Sequence, residues 1–305
     1  MLRIYFCIGI LGWLSLNNLV AQQTPQTVLF MYNQMLYNPA AAGMQETNFN
    51  LNLINRLQWG GKSNGGPVTS LLWSDYRFSG NKTAIGINLG YDKFGATGSL
   101  DAMANYAYYV PLTRKLKLAM GLRAGVNNAT LNTIGLTAWD ENDPIIGAGD
   151  ISVVSPKVGA GFQLVSKRFY GGFSVPDIIG SDNYNLYGNR DLSFSKKKRN
   201  YMLMSGYKFR VNDSYNFFPN VRILYYPGTA TRIDFNALLE ITDYFWTGLT
   251  YSTSNNHAVM VGTHISSRIR FAYSYEFNTK VGSVGLLSTH ELNLMMNLDN
   301  LLKRK

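Results

Sequence analysis

From Phe49 onward, short runs of residues alternate between apolar and polar positions, and few runs are continuously apolar. A period of two is the side-chain period of a β-strand. Around residue 120 it is clearest: Leu116, Leu118, Met120, Leu122, Ala124 and Val126 share one face, and Lys117, Ala119, Gly121, Arg123 and Gly125 the other. Ile85, Ile87, Leu89 and Tyr91 stand against Gly86, Asn88 and Gly90, and Ile233, Phe235, Ala237, Leu239 and Ile241 against Asp234, Asn236, Leu238 and Glu240. Ile269, Phe271, Tyr273, Tyr275 and Phe277 oppose Arg268, Arg270, Ala272, Ser274 and Glu276. Leu292, Leu294, Met296 and Leu298 oppose Asn293, Met295 and Asn297, whereas 68–76 does not sort cleanly. The pattern predicts strands over 49–59, 68–78, 83–91, 99–112, 116–128, 155–164, 169–175, 199–209, 219–227, 232–241, 244–252, 258–265, 268–277 and 290–298, about 14 in all.

The connections alternate in length. Short ones at 80–82, 113–115, 166–168, 212–214, 242–243 and 266–267 are interleaved with others that include the long 129–154, 176–198 and 278–289. Outer-membrane barrels have this asymmetry, with tight periplasmic turns and longer outer loops. Only 15% of residues are charged, against roughly 25% in soluble domains, which fits a surface that is not mainly water. Many tyrosines, among them Tyr91, Tyr106, Tyr108, Tyr207, Tyr251, Tyr273 and Tyr275, fall towards strand ends, where rings sit at headgroup level. The expected fold is all-β: a transmembrane antiparallel β-barrel with short periplasmic turns, longer outer loops and both termini periplasmic. A soluble sandwich explains the alternation alone but not the low charge and the turn asymmetry together.

The first residues read as an address. Arg3, an apolar run from Ile4 to Leu16 and the small residues before Gln22 match a secretory signal cleaved after Ala21. The apolar run is shorter than the ~20 residues of a spanning helix. Cys7, the single cysteine, lies within this segment, so the mature chain uses neither disulfides nor thiolate ligands. The expected organisation is a signal peptide at 1–21, a periplasmic or plug-like segment at 22–48, an outer-membrane barrel at 49–298 and a basic tail at 299–305. Residues 22–48 resist the alternation, and the sticky stretch from Val28 to Ala40 is expected to pack in the periplasmic mouth of the barrel or against a partner.

Inward-facing charges have both signs. Lys117, Arg123, Asp234, Glu240, Arg270 and Glu276 are the expected lumen-facing set, joined by Arg56, Lys208 and Asp101. Opposite charges facing one space pair, and pairs fill a barrel of middling size. A channel for small or hydrophobic solutes is the rival reading, with Gly86, Gly90, Gly121 and Gly125 leaving room inside. The net charge of +10 has no basic helix or recognised motif beside it, so nucleic acid is not an expected partner. The densest basic run, Lys196 to Arg199, is expected to meet phosphates of outer-membrane lipid.

Catalysis needs a nucleophile and a base together, and His257, His264 and His290 are the only histidines. They read as strand-end residues, so no catalytic residue is assigned and no enzyme is expected. Asp140, Glu141, Asp143 and Asp150 match no calcium loop, so neither metal nor cofactor is expected.

Several stretches, in order over nearly the whole mature chain, carry a family resemblance: Tyr32 to Gln34, Tyr37 to Gly43, Asn55 to Trp59, Tyr106 to Leu112, Lys167 to Val175 and Tyr273 to Phe277. They resemble the PorP/SprF family of outer-membrane proteins of the Bacteroidota type IX secretion system. The pairing of Asn38, Pro39 and Gly43 with Arg56, Gln58 and Trp59 is its most specific part. The resemblance implies export or surface anchoring of a large secreted adhesin, in gliding motility for some members. It implies as partners a secreted protein with a C-terminal sorting domain of the non-cleaved type, and the periplasmic ring lipoproteins. Asn38, Pro39, Gly43, Arg56, Gln58 and Trp59 are the candidate partner-binding residues, expected to form a periplasmic-to-lumen contact or to brace the barrel. One departure is the C-terminus, where Leu298 is followed by a basic tail rather than by a final aromatic residue.

Overall fold

The computed structural model describes residues 26–45, 47–60, 65–80, 82–134, 150–179, 199–241, 244–279 and 288–299. The strand segments are β1 (Phe49–Gln58), β2 (Val68–Arg77), β3 (Thr83–Phe94), β4 (Thr97–Pro111), β5 (Lys117–Asn132), β6 (Asp150–Val165), β7 (Phe169–Val175), β8 (Tyr201–Tyr207), β9 (Phe209–Arg210), β10 (Tyr215–Tyr225), β11 (Arg232–Ile241), β12 (Phe245–Ser252), β13 (Asn256–His264), β14 (Ile269–Asn278) and β15 (Thr289–Asn297). Apart from β8 and β9, which both pair with β10, each segment pairs antiparallel with its sequence neighbours, and β1 closes on β15, so one sheet runs round into a barrel. β8 and β9 are one strand broken at Lys208, which leaves 14 staves.

The break has a local cause. In the register of β10 against β8 and β9, Pro219 falls at the gap between the Asn220–Gly206 and Phe217–Phe209 pairs. Proline has no N–H to give the ladder, so the pairing lapses there. The sequence pattern starts this strand at Pro219, yet β10 begins at Tyr215 and pairs with β11 straight through the proline.

β5 and β6 also run further than their apolar alternation, pairing out to Asn132 and Asp150. Asn128, Thr130 and Asn132 continue the outward face of β5 in polar residues, so this hairpin stands above the apolar band. The long connection is accordingly 133–149 rather than 129–154, and its acidic residues Asp140, Glu141 and Asp143 lie outside the described residues. So do residues 1–25, the remainder of the tail beyond Asp299, and most of the 176–198 connection.

The wall has an apolar outside and a polar inside. Leu122 and Leu249, each 63% exposed, alternate with Arg123 at 6% and Thr250 at 9%. Aromatic contacts rim both ends: Phe49, Tyr76 and Phe78 meet edge-on at the short-turn end, and Trp59 meets Phe94 at 6.2 Å at the other. That arrangement is an aromatic girdle on either side of a hydrocarbon band. β2 is the exception that its sequence foreshadows. Trp73 points inward and is buried, while Ser70 and Ser74 point outward. Ser74 satisfies itself by donating to the Asn50 carbonyl at 2.8 Å.

The N-terminal segment corrects the expectation for it. Residues 26–44 do not stop at the periplasmic mouth. They run inside the barrel from its long-loop half down to the short-turn end, where β1 begins. Val28 and Leu29 donate to Glu291, which sits two residues into β15 from its long-loop end, and Gln26 Nε2 reaches Tyr226 Oη beyond the end of β10. At the other end Gly43 donates to Asp75 and Tyr109 donates to the Ala42 carbonyl. The first described residue therefore lies towards the long-loop end, whereas Asp299 accepts from Phe49 N at the short-turn end. In the lumen its apolar side chains find burial and its backbone finds hydrogen-bond partners.

Candidate functional site: a lumen filled by the chain's own N-terminal segment

The segment contains two short 3-10 turns, Gln34–Leu36 and Pro39–Ala41. Asn38 caps the second, its side-chain oxygen accepting from Ala40 N at 3.0 Å. Pro39 follows as the first turn residue, where its fixed φ is suited and its missing N–H is not needed. Gly43 ends the run at φ +70°, a conformation that side chains disfavour.

Wall side chains hold this segment mainly by its main chain. Glu291 accepts from Val28 N and Leu29 N at 2.9 and 3.2 Å. Arg123 donates to the Met35 and Leu36 carbonyls at 2.6 and 3.0 Å, and Asn88 Nδ2 donates to the former as well. Ser174 donates to the Tyr37 carbonyl and Tyr109 to that of Ala42, while Asp75 accepts from Gly43 N at 2.7 Å. Side chains add specificity: Asn33 accepts from Asn52 and from Trp73 Nε1, and Gln163 bonds both Gln34 and Asn38.

The inner wall is shaped for this occupant. A Cβ on Gly121 would overlap the Pro39–Ala40 backbone, one on Gly161 the Asn38 side chain, and one on Gly86 the Met35 sulfur. At Gly86 and Gly121, the room that a channel reading gives to solute is taken by the segment. Leu29 and Phe30 are fully buried among Met202, Met204, Leu224, Leu238 and Met260, which is worth about 1.5–3 kcal/mol for each such side chain. Tyr32 lies 5.4 Å from the Trp246 ring.

Charges in the wall pair closely. Arg222 bonds Asp234 at 2.6 and 3.0 Å while its guanidinium lies 4.5 Å over Phe30 and 5.3 Å over Tyr37, and Arg232 shares the same carboxylate. Arg56 bridges Glu276 at 3.0 Å and Glu291 at 3.2 Å, and so braces the carboxylate that holds Val28 and Leu29. Lys157 joins Asp101 to Asp177 at 2.9 and 3.4 Å. Of the expected lumen set, Arg123, Asp234 and Glu276 are buried on the inner face, Lys117 and Glu240 are half-buried, and Arg270 is exposed towards the short-turn end. Sequence reasoning missed Arg222, Glu291, Asp75 and Lys157, although strand parity marks the first two as inward-facing. Asn33 and Trp73 had no pattern to reveal them.

The six candidate partner-binding residues do not form one surface. Asn38 and Pro39 lie within the lumen, Gly43 near the short-turn end, and Arg56, Gln58 and Trp59 at the long-loop end of β1. Arg56 is buried in its carboxylate pair, while Trp59 packs on Phe94. Of the three histidines, His257 and His290 pack against outward tyrosines with tilted rings, and His290 Nδ1 lies 2.7 Å from the Tyr273 hydroxyl.

Asn38→Ala removes the cap and the bonds to Gln163 and the Phe162 carbonyl, and is expected to cost about 1–3 kcal/mol in the urea midpoint of the lipid-reconstituted barrel. Lys208→Ala breaks a pair whose lysine is 39% exposed and is expected to shift the same midpoint by less than ~1 kcal/mol.

Solved structures with this architecture are outer-membrane barrels. Omp33 of Acinetobacter baumannii aligns with a TM-score of 0.51 at 7% identity, over 83% of this chain and 98% of that one. The CymD monoaromatic hydrocarbon channel aligns with a TM-score of 0.51 at 11% identity, over 87% and 91%. At such identities the likeness is one of fold. Comparison with curated proteins found no match. The family model for the type IX secretion system membrane protein PorP/SprF matches residues 19–296, and the chain belongs to that family.

Proposed function

We propose that this outer-membrane component of type IX secretion supports export or surface anchoring of a large secreted adhesin, recognised through a C-terminal sorting domain of the non-cleaved type. The observation that carries this reading is a lumen already filled by residues 26–44, which favours a holding role over free diffusion of solutes. The barrel is a non-enzymatic scaffold in this reading, and it works after cleavage of the signal peptide at Ala21. The connections after β5 and β7 would grip the client at the cell surface, and the periplasmic ring lipoproteins would meet the short-turn end. Gliding motility is one process that such an anchor serves. Asn38, Pro39, Gly43 and Arg56 brace the barrel rather than contact the ring, because their bonds are spent within the chain.

Gentle detergent extraction of the tagged protein from native outer membranes tests the proposal. A very large secreted protein or ring lipoproteins should co-purify, and deletion of residues 181–195 should abolish recovery of the secreted protein while the barrel still folds. A solitary barrel would overturn the anchoring role. Unchanged recovery after the deletion would overturn the role of that loop.

A further inference from the structure

The outward face of a membrane barrel should be apolar through the hydrocarbon band, because lipid tails offer no hydrogen bonds. On β1 and β2 it is not. Asn55 alternates with buried Ile54 and Arg56 and points outward beside Leu53 and Leu57. It stands opposite Ser70, and its Nδ2 donates to Ser70 Oγ at 2.9 Å on the exposed side of the wall. With that bond made, the Asn55 carbonyl oxygen and the Ser70 hydroxyl proton are an acceptor and a donor presented to the membrane. Polar groups turned towards hydrocarbon are costly unless a partner meets them.

The registers place this pair in a defined surround. The row across neighbouring strands reads Tyr273, Leu292, Asn55, Ser70, Tyr91 and Leu100. The row beneath it, towards the short-turn end, reads Phe271, Leu294, Leu53, Leu72 and Leu89. Two short side chains between long ones leave a groove of about 490 Å³ in the outer wall. Leucines supply most of its lining, and Asn55 and Ser70 are the outward-facing polar residues in it. Tyrosines flank the polar pair in its own row, the residue type that sits where acyl chains meet headgroups.

We propose that this groove binds an outer-leaflet lipopolysaccharide. One acyl chain would lie along Leu53, Leu72, Leu89 and Leu294, with its linkage region on Asn55 and Ser70. The long-loop half of the barrel, where the pair lies, faces the outer leaflet. The ligand must offer both a donor for Asn55 and an acceptor for Ser70. Amide-linked 3-hydroxyacyl chains carry both, whereas the ester linkages of a glycerophospholipid carry acceptors alone.

The test uses the full chain extracted from native outer membranes and washed through detergent exchange, with 3-hydroxy fatty acids measured per mole of protein. The wild type should retain stoichiometric 3-hydroxyacyl lipid. Asn55→Leu with Ser70→Ala, which makes the wall more apolar, should reduce it about tenfold. Leu72→Trp should do the same by filling the groove, and each variant should show the heat-dependent gel shift of a folded barrel. Equal retention in wild type and folded variants would overturn the proposal. So would retention of phospholipid alone, or loss of a bound protein rather than a lipid.

Discussion

Gly121→Leu is expected to drive the N-terminal segment off the barrel wall. The inward position at 121 has no space for even a Cβ, because the Pro39–Ala40 backbone occupies it. A flexible side chain in that place could turn aside, but backbone fixed by the Asn38 cap and by the Tyr109 bond to the Ala42 carbonyl cannot. Overpacking of this kind costs ~3 kcal/mol, which shifts a local opening equilibrium roughly 100-fold. A Met35→Cys reporter reads the effect, since Met35 is buried. Labelling by a membrane-impermeant maleimide should be slow in the otherwise wild-type chain and about 100-fold faster with Gly121→Leu. Equal rates would show that the segment does not rest on this wall.

Arg56→Ala should be the most destabilising single truncation in the barrel. It leaves Glu276 and Glu291 facing each other across the site of the lost guanidinium, both side chains under 10% exposed. Removing one member of a buried ion pair costs about 3–5 kcal/mol, because the charge left behind has neither water nor a partner. Here the damage spreads, because Glu291 is also the acceptor for Val28 N and Leu29 N. Arg56→Lys should restore only part of the loss, since an ammonium cannot reach two carboxylates as a planar fork does. Urea unfolding of the reconstituted barrel measures both variants, and a loss below ~1 kcal/mol for Arg56→Ala would contradict the bracing role.

Strand parity made the barrel legible. The strands at Phe169–Val175 and Arg232–Ile241 have the bounds that the alternation gives, because the outward face of each is apolar or glycine, even though Tyr170 and Leu238 face inward to pack on the N-terminal segment. β2 defied sorting for a physical reason. Trp73 is inward to pack against the segment and donate to Asn33, so the usual contrast is inverted. Pro219 reads as a strand start because it has no N–H for a ladder, yet that N–H serves only one neighbour, and the ladder lapses on the β8 and β9 side while pairing with β11 continues. Parity tells which side a residue faces but not what it meets. Gly86 and Gly121 therefore looked like room for solute, and Arg123 like a lining charge rather than a clamp on two carbonyls. The path of residues 26–44 had no periodic signal, since that segment makes no ladder and is held by side chains from distant strands.

Planar-bilayer recording of the purified full-length protein tests the filled lumen most directly. With Arg123, Glu291, Asp75 and Tyr109 fastening residues 28–43 across the bore, the protein should insert and pass no steady current. A stable ohmic conductance from the intact chain would contradict the account and make it a channel.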